Sequence, residues 1–81
     1  MARTFHLTIA KVGENLYDDE ALSVTLPGAD GVFTVFAGHE AFVSPLTGGE
    51  ARVKTAEGAE RTIAIEGGVA EVSNNQVTVL L

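Results

Sequence analysis

The stretch Leu22-Ser23-Val24-Thr25-Leu26-Pro27-Gly28-Ala29-Asp30-Gly31-Val32-Phe33-Thr34-Val35-Phe36 reads as strand, turn, strand. Leu22, Val24 and Leu26 alternate with Ser23 and Thr25, the period-2 pattern of a strand with one apolar face. Pro27 to Gly31 reads as a five-residue turn, with proline fixing one φ angle and the glycines free to take positive φ. Beyond it, Val32, Phe33, Val35 and Phe36 place apolar side chains on both faces of the next strand, so one face needs a cover. Either that strand is buried between two sheets or its outer face is a docking surface.

The same alternation extends both ways. Phe5, Leu7 and Ile9 interleave with Thr4, His6 and Thr8, and Ala51 and Val53 with Arg52 and Lys54. Ile63 and Ile65 repeat the pattern, and Val77, Val79 and Leu81 close the chain. Val, Ile and Thr, whose branched side chains favour pleated surfaces, supply 21 residues. Gly48-Gly49, Glu57-Gly58 and Gly67-Gly68 separate the strands, the last pair marking a bulge or a close approach of two backbones. Asn74-Asn75 between Val72 and Val77 is a tight hairpin turn. Only Asp18 to Ala21 and Gly38 to Val43 offer a turn of helix. The expected fold is all-β, a flattened sandwich of about ten short antiparallel strands, with residues 1–81 as one domain.

Composition narrows the function. The 81 residues are 46% hydrophobic and 20% charged, a globular balance without cysteine, so neither disulfides nor thiolate metal ligands support the core. Small domains need such a staple or a partner surface, so a partner is expected. Eleven acids against five bases give a formal charge of −6, and Arg3, Lys11, Arg52, Lys54 and Arg61 are scattered. Nucleic-acid binding requires clustered cations, and anionic lipid repels such a chain. No apolar run reaches the roughly 18 residues of a spanning helix, and the N-terminus lacks a secretory apolar stretch. The expectation is a soluble, acidic, intracellular domain.

Catalytic and metal chemistry find little footing. Ser44, His39 and Asp30 can be assembled into a triad on paper, but no Gly-x-Ser-x-Gly elbow is present. His6 reads as a solvated strand residue and Asp18-Asp19-Glu20 as a solvated turn. The two histidines and scattered carboxylates lack ligand spacing, so no metal and no cofactor are expected. A lipoyl- or biotinyl-type carrier needs a lysine in an acidic-Lys-hydrophobic turn, which neither Lys11 nor Lys54 occupies. Without further comparison, the chain reads as a β-sandwich that binds another protein.

The order of the pieces resembles a known family. Phe5-His6-Leu7-Thr8-Ile9, Tyr17, Val24, Pro27-Gly28-Ala29-Asp30-Gly31-Val32-Phe33 and Ala37-Gly38-His39 are similar to the epsilon subunits of F-type ATP synthases, called delta in mitochondria. Leu46-Thr47-Gly48-Gly49, Gly67-Gly68-Val69-Ala70-Glu71-Val72 and Asn75-Gln76-Val77-Thr78-Val79-Leu80 continue the likeness over essentially the whole chain. The resemblance implies a ten-stranded flattened sandwich at the foot of the rotating central stalk. It implies no catalytic residue, and partners in the gamma subunit and the polar loops of the membrane c-ring.

At matched positions, the resemblance implies a c-ring contact at Asp30, Gly31 and Val32, where an acidic turn meets basic loops. It implies a gamma contact at Gly38, His39, Phe42 and Ser44. The family commonly has glycine where Thr34 stands and proline where Ala37 stands, departures that bear on the gamma contact. Many bacterial relatives continue into an inhibitory two-helix hairpin. This chain stops at Leu81, so the expected role is coupling without that inhibition, in a naturally short subunit or one cut at the domain boundary. The implied location is peripheral, on the cytoplasmic face of a bacterial inner membrane or the matrix side of a mitochondrial one. The competing reading is a free-standing β-sandwich binding module, which a deep apolar pocket would favour.

Overall fold

The alternation from Phe5 onward becomes a strand in the computed structural model, which describes residues 3–81. Eight strands follow in order: β1 (Phe5–Lys11), β2 (Glu14–Gly28), β3 (Gly31–Phe36), β4 (Phe42–Leu46), β5 (Gly49–Thr55), β6 (Glu60–Ile65), β7 (Gly68–Ser73) and β8 (Gln76–Leu80). The count is eight rather than about ten because Glu14 to Gly28 is one continuous strand of 15 residues. Asp18 to Ala21, where a helical turn was conceivable, lies inside it. There Tyr17 and Ala21 are buried while Asp18 faces outward, so the segment stays extended.

β2 serves both layers of the sandwich. Its first half pairs with β1 as far as Ala21 opposite Phe5, and its second half pairs with β3 on one side and β5 on the other. The register with β5 shifts between Ala21 and Ser23, leaving Leu22 as an extra residue. Such a bulge bends a strand and sharpens its twist, which lets one strand pass from the first layer to the second. It also explains why the buried positions run Ala21, Val24, Leu26 instead of the even alternation from Leu22.

The pairings join β1, β8, β7 and β4 on one side of this strand and β5 and β6 on the other, with β3 as a branch from β2. All but one are antiparallel. β1 and β8 run parallel, His6 opposite Gln76 through Ala10 opposite Leu80. They lie at opposite ends of the chain, so the intervening strands supply the long crossover that a parallel pair requires. Phe5, Leu7, Ile9, Val77 and Val79 from one layer meet Val24, Leu26, Val35 and Val53 from the other in a single core.

The turns obey their residues. Asn74 and Asn75 have φ of 52° and 60°, as a two-residue primed turn demands. Gly68 has φ of 137°, and a Cβ there would strike the carbonyl of Leu80, so the double glycine marks a close backbone approach. The β2–β3 turn is tighter than the sequence suggested. Pro27 and Gly28 remain in β2, Gly31 begins β3, and only Ala29 and Asp30 form the turn. Gly38 to Val43 is not helical: a turn at Ala37-Gly38 leads to irregular chain, and β4 begins at Phe42.

Candidate functional site: the groove between strands β3 and β4

The end of β4 is joined to the end of β2, beside the turn that leads into β3. The Ala29 amide donates to the Pro45 carbonyl at 2.9 Å, and the Thr47 amide donates to the Pro27 carbonyl at 2.8 Å. Gly28 is paired with Leu46. Past this joint, β3 pairs only with β2 and β4 only with β7, so a groove of about 480 Å³ opens between them. The chain from His39 to Ala41 forms one of its walls.

The floor is aromatic. Phe33 meets Phe42 edge to face, with ring centroids 5.3 Å apart and planes at 73°. His39 leans on Phe42 with centroids 4.9 Å apart. Phe33 and Phe42 are half-buried and pack against the core, so the groove is anchored to the scaffold rather than to loops. A Cβ at Gly28 would lie 2.9 Å from the Phe33 ring, so glycine there lets that ring sit low in the seam.

Six of the seven residues expected to make contacts line this groove: Asp30, Gly31, Val32, His39, Phe42 and Ser44. Gly38 stands just behind it, at φ 81°, and its amide donates to the Asn75 side chain at 3.0 Å. The two sets implied for different partners are therefore adjacent, sharing one rim. Glu40 is a second acid on that rim, unremarked in the sequence reading. So is the role of Asn75, whose Nδ2 also donates to the Thr4 carbonyl at 2.9 Å. That one side chain ties the Gly38 turn to the start of β1. Its positive φ was legible as a turn, but its two long-range bonds had no local signature.

The uncovered face of β3 is also settled. Val35 is buried and Phe33 half-buried, whereas Val32 and Phe36 are 72% and 60% exposed. Among the described residues no second sheet covers them. On that outer face, the Thr34 and Thr25 hydroxyls share a hydrogen bond of 2.9 Å.

Ser44, His39 and Asp30 lie near one another but form no relay. The Ser44 hydroxyl donates to the Pro45 carbonyl at 3.1 Å, and His39 Nδ1 meets the Glu40 carbonyl at 2.8 Å. Nucleophilic catalysis would need the serine, the imidazole and the carboxylate bonded in series.

A second polar cluster lies on the outer face of β1 and β2. His6 Nε2 is 2.7 Å from Asp18 Oδ1, and Nδ1 is 3.2 Å from Glu20 Oε2. The Thr8 and Thr4 hydroxyls donate to the same two carboxylates. His6 is thus bound on both sides rather than merely solvated, and Asp18 and Glu20 belong to a strand rather than a turn. A carboxylate at each nitrogen favours the doubly protonated ring. The hydrogen bond to Asp18 is the main cause that raises the His6 pKa, against a partial opposing effect of burial. In return, the His6 bond, followed by that of Thr8, lowers the Asp18 pKa. The two nitrogens point to opposite sides, so one metal ion could not bridge the three groups. Among the described residues no group of three His, Asp or Glu is arranged to hold a metal.

Fold and groove together define a two-layer β-sandwich with an aromatic-floored groove between β3 and β4 as its candidate site. The family model for "ATP synthase, Delta/Epsilon chain, beta-sandwich domain" matches residues 4–81, and the chain belongs to that family. The ATP synthase epsilon chain of Desulforapulum autotrophicum is 40% identical over 99% of this chain and 59% of its own length. That of Chlorobium limicola is 33% identical over 96% of this chain and 89% of its own. The chain spans less than 60% of the length of several of the curated relatives it matches. A chain in the Euglena gracilis mitochondrial ATP synthase structure containing OSCP, F1 and c-ring superimposes with a TM-score of 0.89. It is 26% identical, over 95% of this chain and 49% of that one. A chain in the Tetrahymena thermophila mitochondrial ATP synthase central stalk and c-ring shares the fold, with a TM-score of 0.79 at 12% identity.

Proposed function

We propose that this chain is a non-catalytic subunit of the central-stalk rotor of an F-type ATP synthase, coupling ion-driven rotation of the c-ring to the gamma subunit. The observation that carries the reading is the groove between β3 and β4, in a chain of the delta/epsilon family. It collects an acidic hairpin tip at Asp30 and an aromatic floor at Phe33 and Phe42 on one rim. Buried aromatic anchors within a polar rim are the usual composition of a protein–protein hot spot.

In this reading His39, Phe42 and Ser44 face gamma, with Gly38 setting their turn. Asp30, Gly31 and Val32 form the tip that meets the c-ring. Acid–base complementarity at such a tip acts mainly on orientation and on the rate of encounter. Residues 1–81 act as one unit, held at the membrane by the complex rather than by insertion. No helix among the described residues is long and apolar enough to cross a membrane.

The test is association with the gamma subunit from the same source. The chain binds it one to one, and His39→Glu, at an exposed position, weakens binding by about tenfold or more, the effect of one hot-spot contact. Absence of any complex with gamma would refute the reading.

A further inference from the structure

Among the described residues, the outer edge of β3 pairs with no other strand. Gly28 and Gly31 flank the two-residue turn and form the first hydrogen-bonded pair of the hairpin, and antiparallel pairs then alternate. Leu26–Phe33 and Val24–Val35 are therefore the bonded pairs, and Pro27–Val32, Thr25–Thr34 and Ser23–Phe36 the unbonded ones. Pro27 fits this phase, because it has no amide hydrogen and its carbonyl is engaged by Thr47 instead. So Val32, Thr34 and Phe36 direct their amides and carbonyls away from β2. Among the described residues no strand lies on that side, and only the Phe36 carbonyl is used, by the His39 amide at 3.3 Å.

Proteins blunt free edges with charges, prolines or bulges. The unpaired edge of β6, by contrast, carries Glu60, Arg61 and Thr62 and is blunted in this way. β3 has none of these devices. Its six residues are regular, and Val32 and Phe36 expose apolar side chains on either side of Thr34. Such an edge is suited to receive a strand.

We infer that β3 binds its stalk partner by strand addition, with an extended segment of gamma pairing along Val32, Thr34 and Phe36. This rests on the proposed function, specifies the mode of contact, and moves Val32 from the ring-facing tip to the gamma side, leaving Asp30 and Gly31 at the tip. Two observations choose the occupant. Val32 belongs both to this edge and to the groove, so a strand laid along β3 continues into the surface proposed for gamma. Glu40, next to His39 on that surface, has no ion-pair partner among the described residues, in a chain of net charge −6. The added segment therefore carries alternate apolar residues beside Val32 and Phe36 and a Lys or Arg near Glu40. Main-chain bonds supply affinity in this mode, and alternate side chains supply selectivity.

The experiment is residue-resolved amide exchange on the full-length chain, alone and bound to gamma, free or within F1. Strand addition slows exchange at Val32, Thr34 and Phe36 by about tenfold or more on complex formation. Two variants accompany it. Thr34→Pro removes the central free amide without touching a β2 bond and weakens gamma binding by about tenfold. Thr34→Val loses only the hydroxyl bond to Thr25 and changes binding by less than about threefold. If Thr34→Pro does not fold, the exchange pattern of the unaltered chain decides alone. A complex in which the three amides exchange as in the free chain overturns strand addition and leaves the gamma reading intact. Failure to bind gamma overturns both. Concentration-dependent protection of these amides in the chain alone identifies a second copy as the occupant and overturns the assignment to gamma.

Discussion

Pro27 stands opposite Val32 at a position where the hairpin ladder asks neither backbone for a hydrogen bond. A proline is thereby accommodated near the centre of a layer, where it would otherwise remove a ladder bond. Its ring also covers Gly49, where a Cβ would approach the Pro27 Cβ to 3.2 Å. Pro27→Ala should lower stability by about 0.4–1 kcal/mol, because alanine leaves the unfolded chain freer. Urea unfolding at fixed pH measures this, with an unchanged m-value expected.

The His6 cluster predicts a pH signature. Its folded-state pKa lies above the ordinary 6.5, so its contribution is fully present below that pH and is lost as pH rises through the raised value. Asp18 has the opposite sign. Its pKa lies below the ordinary 3.8, so its contribution is present above 3.8 and is lost as pH falls through the lowered value. The pair therefore favours the fold most between these limits and weakens as pH rises through the raised His6 value. All the groups are substantially solvent-exposed, so the change is small. Thermal unfolding followed against pH should show a shallow decline beginning above 6.5 that His6→Gln flattens. An NMR titration of the ring should give a midpoint above 6.5.

Phe33 and Phe42 should act as a pair. Their edge-to-face contact implies a coupling of about 0.5–1.5 kcal/mol in a double-mutant cycle of Phe33→Leu and Phe42→Leu. Chemical denaturation of the four proteins gives the value, and strict additivity would show that the rings pack independently.

Gly68 should be intolerant of any side chain. It combines φ of 137° with a backbone carbonyl in the place of a Cβ. Gly68→Ala should therefore cost about 1–3 kcal/mol in thermal unfolding, from strain and displacement of β8. Gly13→Ala is a useful contrast, because a Cβ there meets nothing and only the positive φ opposes it.

Much of this architecture was legible in the sequence because burial in strands has a period of two. Phe5-Leu7-Ile9, Ala51-Val53 and Val77-Val79 alternate as written and are buried as expected. The Asn74-Asn75 turn was equally plain, since two adjacent asparagines tolerate positive φ. What escaped was non-local. The bulge at Leu22 follows from β2 changing layers, and the parallel pairing of β1 with β8 joins the chain's two ends; neither leaves a local pattern. His6, Asp18 and Glu20 were each read as solvated because their partnership depends on the β1–β2 register. The groove residues were picked out by resemblance and by the two-faced strand, yet their convergence on one rim required the joint at Gly28 and Leu46.

Asn75 offers a way to separate positioning from folding. Its backbone makes the β7–β8 turn, while its side chain accepts from the Gly38 amide and donates to the Thr4 carbonyl. Asn75→Gly keeps the positive φ that the turn requires and deletes both side-chain bonds, whose partners lie at exposed sites where water can replace them. Stability should fall by no more than about 0.5–1.5 kcal/mol, the net worth of ordinary hydrogen bonds. The Ala37-Gly38 turn, however, loses its tie to β1, so His39 is no longer held against Phe42. Gamma binding should weaken by a larger factor than this stability change implies, and the Gly38 amide should exchange faster in the free protein. Equal losses in binding and stability, with Gly38 exchange unchanged, would mean that Asn75 serves the hairpin alone.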